Sequence, residues 1–373
     1  MVGCLHLAAA VAVLTLTVAA VDRDASVNKT GRAFSLFSIV QFPNAGCTGS
    51  SSSTTYGTCY TATECSAAGG SADGNCAAGF GVCCLITTNA CGSTISANTS
   101  YIRNPNYPSS YTPTSTGNCQ FTINKSSSDI CQLRIDFQTL SGFSETAGAC
   151  SDKLATEGQT GKNPPTVCGT MTGYHMYTEF GTTSTDTIKL TLTYGSTTTA
   201  KTWNMLLRQI SCDATWKAPT DCVQYFTGST GTIQSYNFAG GQLLQGMYYT
   251  NCIRTESGYC GIQYKESTGQ TPDTFDMFPD STNAEASSGG CPVSFVYIPN
   301  LSSDGISALG IPTSTESFIS ASCGGVLGLD GTAVSLALTS RAKPFIVGVF
   351  SDTTTTLTAP TTGFSLDYTQ LPC

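Results

Sequence analysis

Three kinds of side chain in this 373-residue chain could do chemistry: 19 cysteines, 2 histidines and a thin scatter of acids. The stretch GNCAAGFGVCC (74–84) ends on two adjacent cysteines, Cys83 and Cys84. A bridge between chain neighbours closes a small, strained ring, so the two sulfurs are expected to reach different partners and tie a compact knot. Acid–base or nucleophilic catalysis needs a base beside an activated nucleophile. His175, in GYHMYTEF, is the one histidine outside the N-terminal apolar run, and no GDSGG-like stretch or G-x-S-x-G elbow accompanies it. A zinc hydrolase needs two or three protein ligands around an open position, which one histidine cannot assemble. Nothing in the sequence brings a specific pair of carboxylates together for glycosidase-type work. The expectation is no enzyme and no catalytic residue.

The elements that would position these residues begin after a leader. LHLAAAVAVLTLTVAAV (5–21) is apolar and uncharged, with small residues at Val18, Ala19 and Ala20, so residues 1–20 read as a secretory signal peptide, although no Lys or Arg precedes the run. Cys4 leaves with it, and the other 18 cysteines make an even set, as in an oxidising compartment with no thiol left over. The C-terminal SLDYTQLPC has no lipid-anchor pattern, and no other stretch is long and apolar enough for a membrane span. The expected location is secreted and extracellular. Charged residues are 11% of the chain and the balance is −8. No run of basic residues occurs, which argues against nucleic acid and heparin-like polyanions as partners. Four sequons, at Asn28, Asn98, Asn124 and Asn300, are candidate N-glycosylation sites.

The 18 cysteines fall into three blocks of six. The first is Cys47, Cys59, Cys65, Cys76, Cys83 and Cys84; the second Cys91, Cys119, Cys131, Cys150, Cys168 and Cys212; the third Cys222, Cys252, Cys260, Cys291, Cys323 and Cys373. Gaps in the last two blocks share the order long, short, medium, medium, long, which reads as a drifted internal duplication. Boundaries follow: linker 21–46, knot 47–84, second module 91–212 and third module 222–373, with 85–90 and 213–221 as short connections. The knot is too short and too poor in large apolar residues to fold on hydrophobic burial alone, so bridges must supply the difference. Six cysteines allow 15 pairings. Metal binding by the knot is the rival reading, opposed by the lack of a nearby histidine.

The later modules read as β. QLRIDF (132–137) and TIKLTLTY (187–194) alternate apolar with polar residues; so does GFSLDY (363–368), while PFIVGVF (344–350) is a buried-type run. Long helical periodicity is absent. The expected fold class is all-β, with antiparallel sandwiches behind a small disulfide knot.

The knot's spacing resembles the clip domain of arthropod secreted proteins, which implies bridges Cys47–Cys83, Cys59–Cys76 and Cys65–Cys84. RNPNYPSSY (103–111), lying between Cys91 and Cys119 with Cys150 and Cys168 following, resembles the CUB domain, a jelly-roll-type sandwich. That resemblance implies Cys91–Cys119 and Cys150–Cys168, leaving Cys131–Cys212. The third module keeps a CUB-like ending in VFSD and GFSLDY but lacks PNYP, and by analogy its pairs are Cys222–Cys252, Cys291–Cys323 and Cys260–Cys373. The layout, with FPNAGC and GFGVCC ahead of two CUB-like modules, resembles arthropod secreted CUB-domain proteins.

Many CUB domains hold calcium with a tyrosine and acids from several loops. In the second module Tyr111, Glu145 and Asp152 match that pattern, with Asp152 one residue closer to Cys150 than usual. The last acid is missing: TYGSTTTAKTW puts Tyr194 and Gly195 where it would fall. In the third module Asp352 fits and Glu285 lies near its expected place, but Ser294 replaces the middle aspartate. Calcium needs six to eight oxygens, so each set is incomplete, a weak site at Tyr111, Glu145 and Asp152 is the most that is implied, and no cofactor is expected. The expected role is a secreted, non-enzymatic binding protein engaging an extracellular protein or glycan through loops at the sandwich ends. Rival roles are a matrix glycoprotein, given the Ser/Thr-rich stretches 47–59 and 353–362, and a cofactor or decoy for clip-type serine proteases.

Overall fold

The computed structural model describes residues 40–158, 163–269, 274–277, 284–286, 291, 293–303, 319–328, 334–353 and 361–373. The leader and the Asn28 sequon lie outside them. Residues 42–373 form one compact unit.

Sulfur rather than large apolar side chains fills the first block. Strands β1 (Gly46–Thr48), β2 (Tyr56–Tyr60), β3 (Ser71–Cys76) and β4 (Gly81–Leu85) make an antiparallel sheet in the order β1-β2-β4-β3. One short helix, α1 (Ala62–Ala67), starts at a capping box: the Glu64 N–H donates to Thr61 Oγ1 (3.2 Å) and the Thr61 N–H to Glu64 Oε2 (2.9 Å). Successive residues of a strand face opposite ways. Cys83 and Cys84 therefore point to the two faces of β4, one joined to Cys47 of β1 and the other to Cys65 of α1. Cys59–Cys76 is the third bridge. Cys65, Cys83 and Cys84 are each no more than 2% exposed, so the crosslinks are themselves the core.

The second block is a sandwich built from β5 (Thr87–Thr88), β6 (Thr94–Ile95), β7 (Thr99–Arg103), β8 (Gly117–Asn124), β9 (Ile130–Ser141), the short pair β10 (Glu145–Thr146) and β11 (Ala149–Cys150), β12 (Lys153–Glu157), β13 (His175–Glu179), β14 (Thr187–Tyr194) and β15 (Thr202–Ser211). One sheet runs β12-β14-β8-β6 and the other β13-β9-β15-β7-β5. Ile188, Leu190 and Leu192 of β14 meet Leu133, Ile135 and Phe137 of β9 in the interior, while the alternate residues of β9, Arg134 and Asp136, face outward. Cys91–Cys119, Cys131–Cys212 and Cys150–Cys168 lace it.

The third block repeats the plan with β16 (Gln224–Phe226), β17 (Thr230–Gln234), β18 (Tyr248–Ile253), β19 (Tyr259–Glu266), β20 (Phe275–Asp276), β21 (Ala284–Ala286), β22 (Ser294–Leu301), β23 (Ile319–Gly324), β24 (Leu338–Ser340), β25 (Phe345–Ser351) and β26 (Gly363–Pro372). Its sheets run β16-β18-β25-β22-β23-β21 and β17-β26-β19-β24, with β20 paired to β26. Cys222–Cys252, Cys260–Cys373 and Cys291–Cys323 close it. The all-β, two-sandwich expectation holds.

The two sandwiches share one continuous buried cluster. Edge strands β13 and β16 meet, the Tyr177 N–H donating to the Val223 carbonyl (2.8 Å). Tyr236 donates its hydroxyl to His175 O (3.0 Å) and Tyr174 its hydroxyl to Ser235 O (2.9 Å). Asn237, at φ 64°, inserts its carboxamide against Gly169 and accepts from the Thr170 N–H (2.8 Å). A Cβ on Gly169 would lie 2.0 Å from Asn237 Oδ1, so only glycine leaves that slot open.

Candidate functional site

Loops at the sandwich ends are the first place to look, and in the second block they carry Tyr111, Glu145 and Asp152. Tyr111 exchanges both backbone hydrogen bonds with Lys201 (2.8 Å each), and its ring meets Tyr194 and Trp203 edge-on. Glu145 accepts from the Gly148 N–H (2.8 Å) and so closes the β10–β11 turn. Asp152 is fully buried. Its Oδ1 accepts from the N–H groups of Gly195 (2.9 Å) and Ser196 (3.2 Å), and its Oδ2 from the Ser144 N–H (2.7 Å). The remaining contact of Oδ2 is the Lys201 ammonium at 3.1 Å, itself wholly enclosed. Lys201 Nζ also donates to the carbonyls of Ser196 (3.2 Å) and Thr199 (3.1 Å), which uses its three protons.

This arrangement does not fit a calcium ion. The cation needs several oxygens facing an open point. Here both carboxylate oxygens are saturated, and an ammonium of like sign stands beside one of them. Burial works to raise the Asp152 pKa, but the Ser144 hydrogen bonds and the Lys201 charge outweigh it and hold the carboxyl below its ordinary range. The corresponding positions of the third block are described only in part. Asp352 accepts from the Thr353 N–H (2.6 Å), Ser294 is buried in β22, and of Glu285 only the β21 backbone lies among the described residues. Among the described residues no cluster of three or more His, Cys, Asp or Glu is poised to hold a metal. Sequence reasoning missed Lys201, although the lysine stands within the TYGSTTTAKTW stretch where the last acid is lacking.

His175 is placed by β13 at the junction, where Nε2 accepts from the Tyr225 N–H (3.0 Å) and the ring packs edge-on against Tyr177 and Phe226. Burial first, and the nearby Arg134 charge second, push its pKa down to about 3. A ring nitrogen already committed to a backbone N–H cannot take a proton from a substrate, so His175 is structural in this geometry. A cleft of about 310 Å³ beside it, lined by Thr172, Gln224, Phe226, Thr232 and Gln234, contains no nucleophile activated by the histidine.

The sheet faces differ more than the loops. On the outer face of β18, β25 and β22, Tyr248, Phe350 and Phe295 form one cross-strand row; Tyr297 stands in the next row opposite Gly348. The Phe295 and Phe350 rings stack at 5.1 Å, and Tyr248 and Tyr297 are 62% and 42% exposed. None of the outward residues on these three strands is charged. Of the sequons, Asn98 is half-buried and packs against Gly46 of the knot, Asn124 ends β8, and Asn300 is exposed at φ 51°.

Comparison with known proteins bears on the two sandwiches. Residues 91–206 match the family model of the CUB domain, and residues 219–371 that of the animal CUB domain. The chain is a CUB-domain protein with two such domains in tandem. CUB domains are typically extracellular protein-interaction modules. Similar solved structures include the CUB1-EGF-CUB2 domains of rat MASP-1, at 13% identity, covering 76% of this chain and 99% of that one, with a TM-score of 0.26. The full extracellular region of zebrafish Gpr126/Adgrg6 is 10% identical over 75% of this chain and 36% of that one, with a TM-score of 0.26. No curated protein matches the chain. No helix among the described residues is long and apolar enough to cross a membrane.

Proposed function

We propose that this chain is a secreted, non-enzymatic binding protein whose tandem CUB domains engage another extracellular protein as one rigid unit. The observation that carries the reading is the junction: a shared apolar core, the keyed Asn237 slot and reciprocal tyrosine hydrogen bonds remove the freedom expected of two modules on a short linker. A rigid tandem presents loops and sheet faces at fixed separation, which lowers the entropic cost of engaging a partner at two places. In this reading residues 1–20 are a cleaved leader, 47–84 a clip-like module, and Asn28, Asn98, Asn124 and Asn300 glycan acceptors. The test is crosslinking capture from extracellular fluid with the full secreted chain as bait. One saturable partner is the expected result; a substrate turned over by the purified protein, with contaminants excluded, overturns it.

A second reading, a self-assembling matrix component, is favoured by the uncharged aromatic face of β18, β25 and β22. Sedimentation at micromolar concentration separates the two: a monomer that captures a partner supports the first, and reversible oligomers lost on changing Tyr248 support the second.

A further inference from the structure

Seven arginines occur in the chain. Three of them, Arg103, Arg134 and Arg208, are far apart in sequence yet share the outer face of the β9-β15-β7 sheet. Arg134 and Arg208 stand directly opposite one another on adjacent strands, an arrangement that is unfavourable for like charges. Asp136 relieves it by bridging both guanidinium groups at 2.7 Å. On these three strands three cations stand against one acid, with Glu179 further out on β13, in a chain whose balance is −8.

Arg103 differs from the other two. Its guanidinium lies over the rings of Tyr101 and Tyr107 at 5.1 and 5.2 Å, and Nε donates to Asn204 Oδ1 (3.0 Å). Asn204 in turn donates to Gln138 Oε1 (2.7 Å), so the plane of the guanidinium is fixed by a relay. Neither terminal nitrogen of Arg103 has a protein acceptor among the described residues. Gln138 has used its oxygen and keeps its NH₂ as a donor. Both groups line a notch of about 260 Å³ that the knot closes from the other side with the hydroxyls of Thr54, Thr55 and Ser71, while Thr87 of β5 adds a fourth hydroxyl from the sandwich. No carboxylate lines it. A fixed fork of two N–H groups, hydroxyl donors and the Tyr101 ring make a pocket for a carboxylate held in bidentate fashion.

We propose that this notch, roofed by the knot and floored by the first CUB domain, binds a carboxylate side chain from an acidic segment of a partner protein, with Arg103 as the anchor. Arg134 and Arg208 add the positive field that draws such a segment to the sheet face. The small volume suits one carboxylate side chain rather than the repeated sulfates of a polysaccharide. The inference rests on reading the chain as a binding protein, and it makes the knot part of the binding surface rather than a spacer.

The test is fluorescence anisotropy of labelled octaglutamate with the full secreted protein at low ionic strength. Saturable binding is expected, weakened at least about tenfold by Arg103→Gln. Arg103→Lys, which keeps the charge and loses the fork, should fall between the two. Lys189→Gln, an exposed change on the opposite sheet, should bind as the unaltered protein does. Thr54→Glu, at an exposed rim position, fills the notch with the chain's own carboxylate and reaches the same loss even if Arg103→Gln fails to fold. Binding unchanged by both Arg103→Gln and Thr54→Glu, or no saturation up to about 1 mM, overturns the site. So does a heparin octasaccharide that binds more tightly than octaglutamate and shows the same dependence on Arg103. Partner capture that survives Arg103→Gln sinks this site and leaves the binding-protein reading standing.

Discussion

The two CUB domains share a plan and handle charge in opposite ways. The first buries a whole ion pair, Lys201–Asp152, at its loop end and spreads arginines over its outer sheet. The second keeps Asp352 partly exposed at the matching end and shows an uncharged aromatic row on its outer sheet. The lesson is that one scaffold can place the matching acid either in a sealed pair with a lysine or partly open to solvent. A lysine carried by the chain is always present, whereas an ion must be bound from solution.

The sharpest way to break this contrast is to remove the internal cation. Lys201→Met leaves Asp152 buried and unpaired and should cost about 3–5 kcal/mol in denaturant unfolding. Asp352→Asn in the second domain should stay within about 0.5 kcal/mol. Equal costs would show that the two loop ends are built alike.

Acid should separate the domains' junction from their loops. His175 stays neutral in the folded chain down to about pH 3, whereas an unfolded histidine protonates below about 6.5. Its contribution is therefore full above that value and is lost as pH falls between the two. The Asp152 contribution, from a lowered pKa, is full above about 4 and is lost only in stronger acid. His175→Gln, which keeps an acceptor for Tyr225, should flatten the upper window alone, read by hydrogen exchange across the junction.

Smaller effects sharpen the picture. Tyr236→Phe removes the hydroxyl that serves the His175 carbonyl and should cost about 1–2 kcal/mol. Tyr248→Ser, on the exposed aromatic row, should change stability by less than about 0.5 kcal/mol, so any loss of self-association in sedimentation belongs to the surface. Calcium should do least. A site filled a hundredfold beyond its dissociation constant adds about 2.7 kcal/mol, a shift of several degrees in thermal unfolding; millimolar calcium should produce none.

Much of the fold could be read before any coordinates. TIKLTLTY and QLRIDF bury the residues their alternation marks, because a strand's two faces are set by a period of two. The α1 helix also has a local signal, the Thr61-to-Glu64 capping box, which reading for long helices passes over. The site residues were less legible. Tyr111, Glu145 and Asp152 are found by pattern, yet the pattern does not say that Lys201 fills the space beside Asp152.

By itself the sequence determined the strands and the three cysteine blocks, since alternation and spacing are local properties. Tertiary structure decided that Lys201 reaches Asp152, and that Arg103, Arg134 and Arg208 share one face. Those facts depend on which strands become neighbours and in what register. That choice is made by burial over the whole chain, so it leaves no mark in any short stretch.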